Sequence, residues 1–281
     1  MSDLFLRAAT ETDTAAVQAL CRLLDPDDYV PDAWPIWLRM SDGINLVAEV
    51  EGRVVGCRHA ELLTTHEAWS QAIRVHPAVQ RRGIASQLIK ALEAELRHRG
   101  VHVVRAAIGA SNVPSQALFE KAGFRTVLRV CRRRVEGRIG NAAELRRAAL
   151  PEAMALVRAA PVLASRLHLA IFRRAYFAMT DEHLVGLVRQ GAVVVSQDGQ
   201  AYAILDPDAA QSSGALWVVA IAGNPASRRE VLEDLVKEAG SSGLGMVVDS
   251  LAEPVLQSAL NAMGFKTPER YGEFVVVEHW L

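Results

Sequence analysis

The feature that most limits how this chain can fold is that its first half returns in its second. Leu6-Arg7-Ala8-Ala9, leading into Ala15-Ala16-Val17-Gln18-Ala19-Leu20, comes back as Leu145-Arg146-Arg147-Ala148-Ala149 leading into Met154-Ala155-Leu156-Val157. A strand–turn–strand pattern over Val47–Val55, turning at Glu51-Gly52, comes back over Val193–Ile204, turning at Asp198-Gly199. Ala117–Thr126 comes back one residue shorter as Ala259–Thr267. The three matches keep one order and a similar offset, the mark of a duplicated unit. The chain has 281 residues, so each copy is long enough to bury its own core. The boundary is placed at Gly137–Gly140, giving units 1–137 and 141–281.

Local patterns give the first unit its expected elements. Residues 4–9 read as a strand, and Thr10 or Thr12 can cap a helix running to about Leu24. A turn-rich stretch, Asp25–Asp32, precedes a short helix over 32–39. Strands over 45–50 and 53–63 are joined at Glu51-Gly52 as a hairpin, and 68–76 is a further strand. Ala85, Leu88, Ile89, Leu92 and Leu96 recur at helical spacing, which predicts an amphipathic helix over 83–99, ended by Gly100. A strand over 101–108, a helix over 113–122 and a strand over 124–135 follow. The class is α/β, with mixed, mostly antiparallel sheets and helices on both faces.

Charge and cysteine usage remove several functions. Thirty-one basic residues against 32 acidic ones leave a net charge of −1, which gives a nucleic acid no general attraction. Cys21, Cys57 and Cys131 are odd in number, scattered and without C-x-x-C spacing, so neither a disulfide framework nor a metal site is expected. No apolar run has the length of a membrane span, and Met1–Arg7 lacks the pattern of a signal peptide. A cytoplasmic protein without membrane or nucleic-acid partners is expected, as a monomer or homodimer.

The junction Ile73-Arg74-Val75-His76-Pro77-Ala78-Val79-Gln80-Arg81-Arg82-Gly83-Ile84-Ala85 carries the chemistry. A strand ends, a short loop turns, and a helix begins near Gly83. The first turn of a helix presents N–H groups without intrahelical acceptors at the positive end of its dipole, and a pyrophosphate can accept from them. Gly83 lets the backbone approach phosphate oxygens, Ala85 keeps the wall small, and Arg81 and Arg82 add positive charge.

Gln80-Arg81-Arg82-Gly83-Ile84-Ala85 resembles the acetyl-CoA signature Q/R-x-x-G-x-G/A of the GNAT acyltransferase superfamily, and Val75-His76-Pro77 resembles its V-x-P strand end. Downstream, Asn112–Phe124 is similar to the family's N-x-x-[AS]-x-x-L-[YF]-x-K-x-G-F segment, with Asn112, Ser115, Leu118, Phe119, Lys121, Gly123 and Phe124 at the defined positions. The resemblance covers residues 4–130. It implies a tandem GNAT fold and an acetyl-CoA site formed by Ile73, Arg74, Val75, Gln80, Arg81, Arg82, Gly83, Ile84, Ala85, Asn112, Ser115 and Phe119. It also implies that strand 73–76 splays from strand 102–108, so that a pantetheine arm pairs with the exposed backbone. Asn112 reads equally as the N-cap of the helix behind it.

The same resemblance implies direct attack of a neutral amine on the thioester, with a strand N–H polarising the carbonyl, a base for the amine and often a tyrosine acid for the thiolate. Two positions depart from it. Phe119 stands where the tyrosine is common, and Gln71 stands where a glutamate base is frequent. Among the nearby titratable residues His59, Glu61, His66 and Glu67, the base is assigned to Glu67, at the start of the key strand.

Asp25–Leu38 is expected to wall the acceptor pocket. Its carboxylates with Tyr29, Trp34 and Trp37 suit a small amine that has a flat or apolar part, and these three aromatics are the predicted acceptor contacts. The same aspartates also read as solvated turn residues and the tryptophans as core. The D-Y-x-P and W-x-x-W-L patterns here resemble histidine N-acetyltransferase-like proteins, which implies the α-amine of a free amino acid. The second half lacks a glycine after Arg228-Arg229 and has Glu230 where a phosphate would sit, so it reads as a degenerate GNAT unit. A standard unit ends in two strands, yet only 124–135 is evident in the first half. The terminal strand Phe274–Trp280 is therefore expected near 124–135. The predicted function is acetyl-CoA-dependent N-acetylation of a small-molecule amine. A non-catalytic acetyl-CoA sensor and a protein N-acetyltransferase are the alternatives.

Overall fold

The computed structural model describes residues 4–136, 143–159, 169–172, 175–209, 213–270 and 272–281. The expected boundary at Gly137–Gly140 lies outside them. The chain separates into two compact units. One comprises Met1–Ile108, Asn112–Val127 and Val277–Leu281; the other comprises Gly109–Ser111 and Leu128–Val276.

The first unit begins with β1 (Leu4–Ala8), α1 (Thr14–Leu24), α2 (Val30–Trp37), β2 (Gly43–Val50), β3 (Arg53–Leu62) and β4 (Glu67–Val75). It continues with α3 (Ile84–His98), β5 (Val103–Gly109), α4 (Val113–Lys121) and the start of β6 (Arg125–Val135). Its strand order is β1-β2-β3-β4-β5, then the end of the chain's last strand, β13 (Glu273–Trp280), then β6. The terminal strand thus neighbours the 124–135 segment, as expected. β1 to β4 run antiparallel and β5 is parallel to β4. At the hairpin between β2 and β3, Glu51 and Gly52 both have positive φ, 53° and 74°, the combination a two-residue turn of matching twist requires.

Each face of this sheet is covered by helices with an apolar stripe. On one face Val17, Leu20 and Cys21 of α1 and Val30, Trp34 and Trp37 of α2 bury against Val47, Cys57 and Ala72. On the other, Ile84 and Leu88 of α3 pack with Ala48, Val55 and Val75. Alternation along β3 divides its side chains: Cys57 belongs to the first face, whereas a Cβ on Gly56 would lie 3.2 Å from Leu88 Cδ1.

The second unit contains α5 (Leu150–Ala159), the hairpin β7 (Leu169–Phe172) and β8 (Ala175–Ala178), and α6 (Asp181–Arg189). β9 (Val193–Val195), β10 (Ala201–Asp206), β11 (Ala215–Gly223), α7 (Pro225–Ser241), β12 (Gly245–Leu251) and α8 (Pro254–Ala262) follow. Its order runs from β13 through β6, β12, β11 and β10 to β9. β11 and β12 are parallel with α7 between them in sequence, as β4 and β5 are with α3. The 47–55 and 193–204 repeat of the sequence falls on the antiparallel hairpins β2–β3 and β9–β10, and this parallel strand–helix–strand step is repeated after it. Residues 145–149 form a bridge rather than a strand, but it occupies the place of β1: Arg147 faces Val194 of β9 antiparallel, with Ala148 N donating to Val193 O and Val195 N to Arg146 O, each at 2.9 Å.

Candidate active site

The site is built around β4. Cys57 of β3 is opposite Arg74 and His59 is opposite Gln71, so Ala72 and Ile73 together face the single residue Arg58. This is a β-bulge, and Ala72 adopts φ 60°, a conformation unfavourable for a residue with a Cβ. The bulge resets the alternation of the strand. Gln71 and Arg74, three residues apart, both meet the loop between α1 and α2. Tyr29 Oη donates to Gln71 Oε1 at 3.3 Å, and Arg74 Nε and Nη2 donate to Asp28 Oδ2 and Oδ1 at 2.7 and 2.9 Å. Asp28 is buried by this contact, and the Cys57 thiol donates to Ala72 O at 3.7 Å.

On its other edge β4 pairs with β5 only at Glu67–Val103, Ala68–Val104 and Trp69–Arg105. Beyond these pairs the strands run on to Val75 and Gly109 without a ladder between them. The expected splay is present, and it leaves strand-edge N–H and C=O groups of β4 available for an extended ligand.

The turn after β4 is braced from within. His76 Nδ1 accepts from Ala78 N at 3.2 Å, and Gln80 Nε2 donates to Val75 O at 3.1 Å. Arg81 and Gly83 both take left-handed backbone, φ 61° and 79°, which curls the loop over the end of α3. Gln87 N is the first α3 amide to bond back, to Gly83 O at 3.0 Å. The amides of Gly83, Ile84, Ala85 and Ser86 precede it and have no intrahelical acceptor. A Cβ built on Gly83 meets nothing within 4 Å, and Arg81, Arg82 and Gly83 are exposed. The loop thus offers a run of N–H donors beside two exposed arginines, a fit for a pyrophosphate.

Other predicted residues divide into those near this junction and those away from it. Ile73 and Val75 lie on the stretch of β4 beyond its pairs with β5, where Val75 is still paired with Gly56 of β3. Asn112 Oδ1 accepts from Ser115 N at 3.2 Å, so Asn112 caps α4. Phe119 is buried edge-to-face on Phe124, with the Arg58 guanidinium carbon 5.3 Å from its ring centre. Tyr29 is half-buried and meets Trp37 edge-on, whereas Trp34 is fully buried in the core under the loop.

Trp37 stacks on His59 at 4.1 Å. Asn45 Nδ2 donates to Trp37 O, which orients the amide so that Oδ1 accepts from His59 Nδ1 at 2.9 Å. The proton therefore sits on Nδ1, and burial pushes the imidazole pKa down to about 3. Glu67 stands at the opposite, paired end of β4, roughly 20 Å along the strand from Ile73. There Arg105 Nη1 donates to it at 2.8 Å while Arg105 Nε holds Glu278 at 2.8 Å. The structure does not bring Glu67 together with the Gln80–Ala85 turn. Sequence reasoning missed the Asp28–Arg74 pair, the Ala72 bulge and Arg58. Asp28 carried a signal as one of the carboxylates in the turn-rich stretch, and Arg74 as a residue of the implied acetyl-CoA strand, but nothing joined them; the structure turns the Arg74 side chain onto Asp28.

The corresponding turn of the second unit is closed. Asn224 Oδ1 accepts from Ala226 N at 2.9 Å, and Ser227 Oγ donates to Asp198 at 2.7 Å. Glu230 Oε1 accepts from Gln197 N at 3.2 Å, and Arg228 is turned onto Glu253 by two bonds of 2.6 and 2.7 Å. A Cβ on Gly223 would lie 2.2 Å from Gln200 O.

Residues 14–124 match the model of the acetyltransferase (GNAT) family. Three solved structures share the fold over nearly the whole chain. A GCN5-related N-acetyltransferase from Sphaerobacter thermophilus is 15% identical, covering 99% of this chain and 95% of that one, with a TM-score of 0.63. A candidate acetyltransferase from Thermoplasma acidophilum is 16% identical over 99% and 100%, with a TM-score of 0.61. Another from Pyrococcus horikoshii is 16% identical over 99% and 89%, with a TM-score of 0.58. No curated protein matches the sequence. Among the described residues no group of three or more His, Cys, Asp or Glu could hold a metal, and no helix is long and apolar enough to cross a membrane.

Proposed function

Residues 14–124 are a GNAT-family acetyltransferase domain, which makes the chain an N-acetyltransferase, and on that premise we propose that it transfers acetyl from acetyl-CoA to the amine of a small molecule. The observation that carries the donor half is the coincidence of the unpaired β4 edge with the open α3 terminus. Gly83 to Ser86 offer amides for a diphosphate, Arg81 and Arg82 add charge, and Ile73 to Val75 offer strand groups for a pantetheine arm. Acetyl-CoA supplies the activated acyl group as a thioester.

The chain's own residues supply position and polarity. Beyond Trp69 the edge of β4 has no ladder with β5, and a backbone N–H on that edge is the group assigned to polarise the carbonyl. The amine attacks directly, its proton passes to water, and the electron pair of the broken C–S bond stays on sulfur. Phe119 donates no proton to that sulfur, because a phenyl ring has none to give.

The observation that favours a small acceptor is the way the loop between α1 and α2 is clamped to β4. Asp28–Arg74 and Tyr29–Gln71 draw this loop onto the strand beside the bulge, where a peptide would need an open groove. Tyr29, half-buried with a hydroxyl, is the aromatic that contacts the acceptor, and a free amino acid is the first candidate. Trp37 and Trp34 support it from the core. The base predicted at Glu67 sits at the paired end of β4, so this reading gives it no contact with the amine. Residues 1–137 are proposed as the catalytic unit and 141–281 as a degenerate one, because the second turn is filled by Asn224, Asp198 and Glu230. CoA release measured with amino acids, polyamines and N-terminal peptides tests the proposal. Turnover of a free amino acid or polyamine supports it, and turnover of peptides alone rejects it.

A further inference from the structure

Arg58 is a buried arginine with no part in the phosphate turn or the acceptor loop. It lies on β3 opposite the two bulged residues, and its side chain is on the α3 face of the sheet, the face that Gly56 also presents to Leu88. Its Nε donates to Ser70 Oγ at 3.0 Å. Ser70 is the first residue of β4 beyond the last pair with β5, Trp69–Arg105, so the guanidinium is held where the two strands begin to part. Its central carbon lies 5.3 Å from the ring centre of Phe119, the residue that stands where the family often has a tyrosine acid. The residue is 1% exposed, and Nη1 is buried without a hydrogen-bond partner among the described residues.

Such an arrangement is costly in the free protein. A buried charge lacking full hydrogen bonding is destabilising unless an opposite charge accompanies it. The neighbours supply little. Ser70 and Phe119 are neutral. Glu93 of α3 is the charged group that acts on Arg58, and it is itself engaged by His279 Nδ1 at 3.1 Å and Arg97 at 3.7 Å. Burial accordingly pulls the guanidinium down to about 9, with Glu93 opposing the shift. The group remains a cation at neutral pH, in a dry setting where its field is weakly screened.

We propose that Arg58 is the electrostatic partner of the CoA thiolate, replacing by charge the proton that a tyrosine at position 119 would give. This rests on the acetyl-CoA reading above. When the C–S bond breaks, its electron pair remains on sulfur and the product leaves as an anion. A cation fixed beside the point where β4 and β5 part stabilises that anion through its weakly screened field and requires no proton transfer. Phe119 fits this role for its surroundings: its ring faces the cation and keeps water from it.

The test reads protons. Calorimetric titration of CoA into the protein at pH 7.5, in two buffers of different ionisation heat, gives the protons released on binding. Desulfo-CoA, which lacks the thiol, serves as the reference. An ordinary thiol pKa of about 8.5 leaves CoA mostly protonated when free, so binding as thiolate releases about 0.9 proton more than desulfo-CoA does. Equal release for the two ligands in the wild-type protein overturns the proposal, whatever any variant does. Arg58→Met is expected to abolish the difference while leaving desulfo-CoA affinity within about twofold, and Arg58→Lys to retain most of it. A full difference in folded Arg58→Met also overturns the role. Failure of both ligands to bind the wild-type protein removes the underlying CoA reading, and this inference with it.

Discussion

Arg74 places two nitrogens on the two oxygens of Asp28, at 2.7 and 2.9 Å, and so fixes the loop between α1 and α2 to the strand that carries the Ala72 bulge. The pair joins the segment proposed to meet the acceptor to the segment proposed to meet the donor. It exists in this form because the bulge lets Gln71 and Arg74 address neighbouring loop residues. The consequences of that coupling, and of the charges around it, can be measured.

Asp28→Ala leaves a largely buried guanidinium without its partner. Removing one member of a buried pair costs about 3–5 kcal/mol, and the partial exposure of Arg74 favours the lower end. Urea unfolding should show this loss, and KM for the acceptor should rise more than KM for acetyl-CoA. Equal effects on both substrates would separate the clamp from acceptor binding.

His59 is expected to stay neutral, with its proton on Nδ1, throughout the range in which the enzyme is folded. Its pKa is held down to about 3 by burial, below the ordinary 6.5. Because the unfolded chain takes up this proton first, the term weakens the fold as pH falls below about 6.5. Nitrogen NMR of the imidazole at pH 5.5 should show the neutral Nδ1–H tautomer. A titration midpoint near 6.5 would show that the Asn45–His59–Trp37 arrangement is absent.

Asp13 gives an acid limit of the usual sign. Hydrogen bonds from Arg7, followed by those from Thr10, overcome the effect of burial and hold its pKa at about 2, against 3.8 in the unfolded chain. Its contribution, ~2 kcal/mol from the size of that shift, is complete above pH 3.8 and fades as pH drops through 2. The stability difference between wild type and Asp13→Asn should therefore shrink over that window. A difference independent of pH would contradict the assignment.

The second unit is expected to add no donor site. Titration with CoA should give one equivalent per chain, and Glu230→Gln should change neither the stoichiometry nor the affinity. Two equivalents would show that the turn at Asn224–Glu230 opens to phosphate after all.

The sequence showed the order of elements well, because apolar period and turn chemistry are local. The hairpin at Glu51-Gly52, the stripe Leu88–Leu96 and the helix start at Gly83 appear where their residue types place them. The bulge at Ala72 did not show, since alanine carries no mark of a left-handed backbone and only pairing with β3 imposes it. Trp34 was read both as a pocket residue and as core, and packing under α1 buries it completely. Glu67 was singled out by position and type, but where β4 leaves β5 is a property of two strands distant in sequence. Arg58 carried no signal, because nothing local separates a buried arginine from one in solvent.

Isothermal titration of acetyl-CoA into the wild-type protein and into Gly83→Glu tests the central claim most directly. The wild type should bind saturably and the variant at least a hundredfold more weakly, because a carboxylate and a Cβ at φ 79° occupy the space kept for the diphosphate. Undiminished binding by a folded Gly83→Glu protein, or no uptake by the wild type, would contradict it.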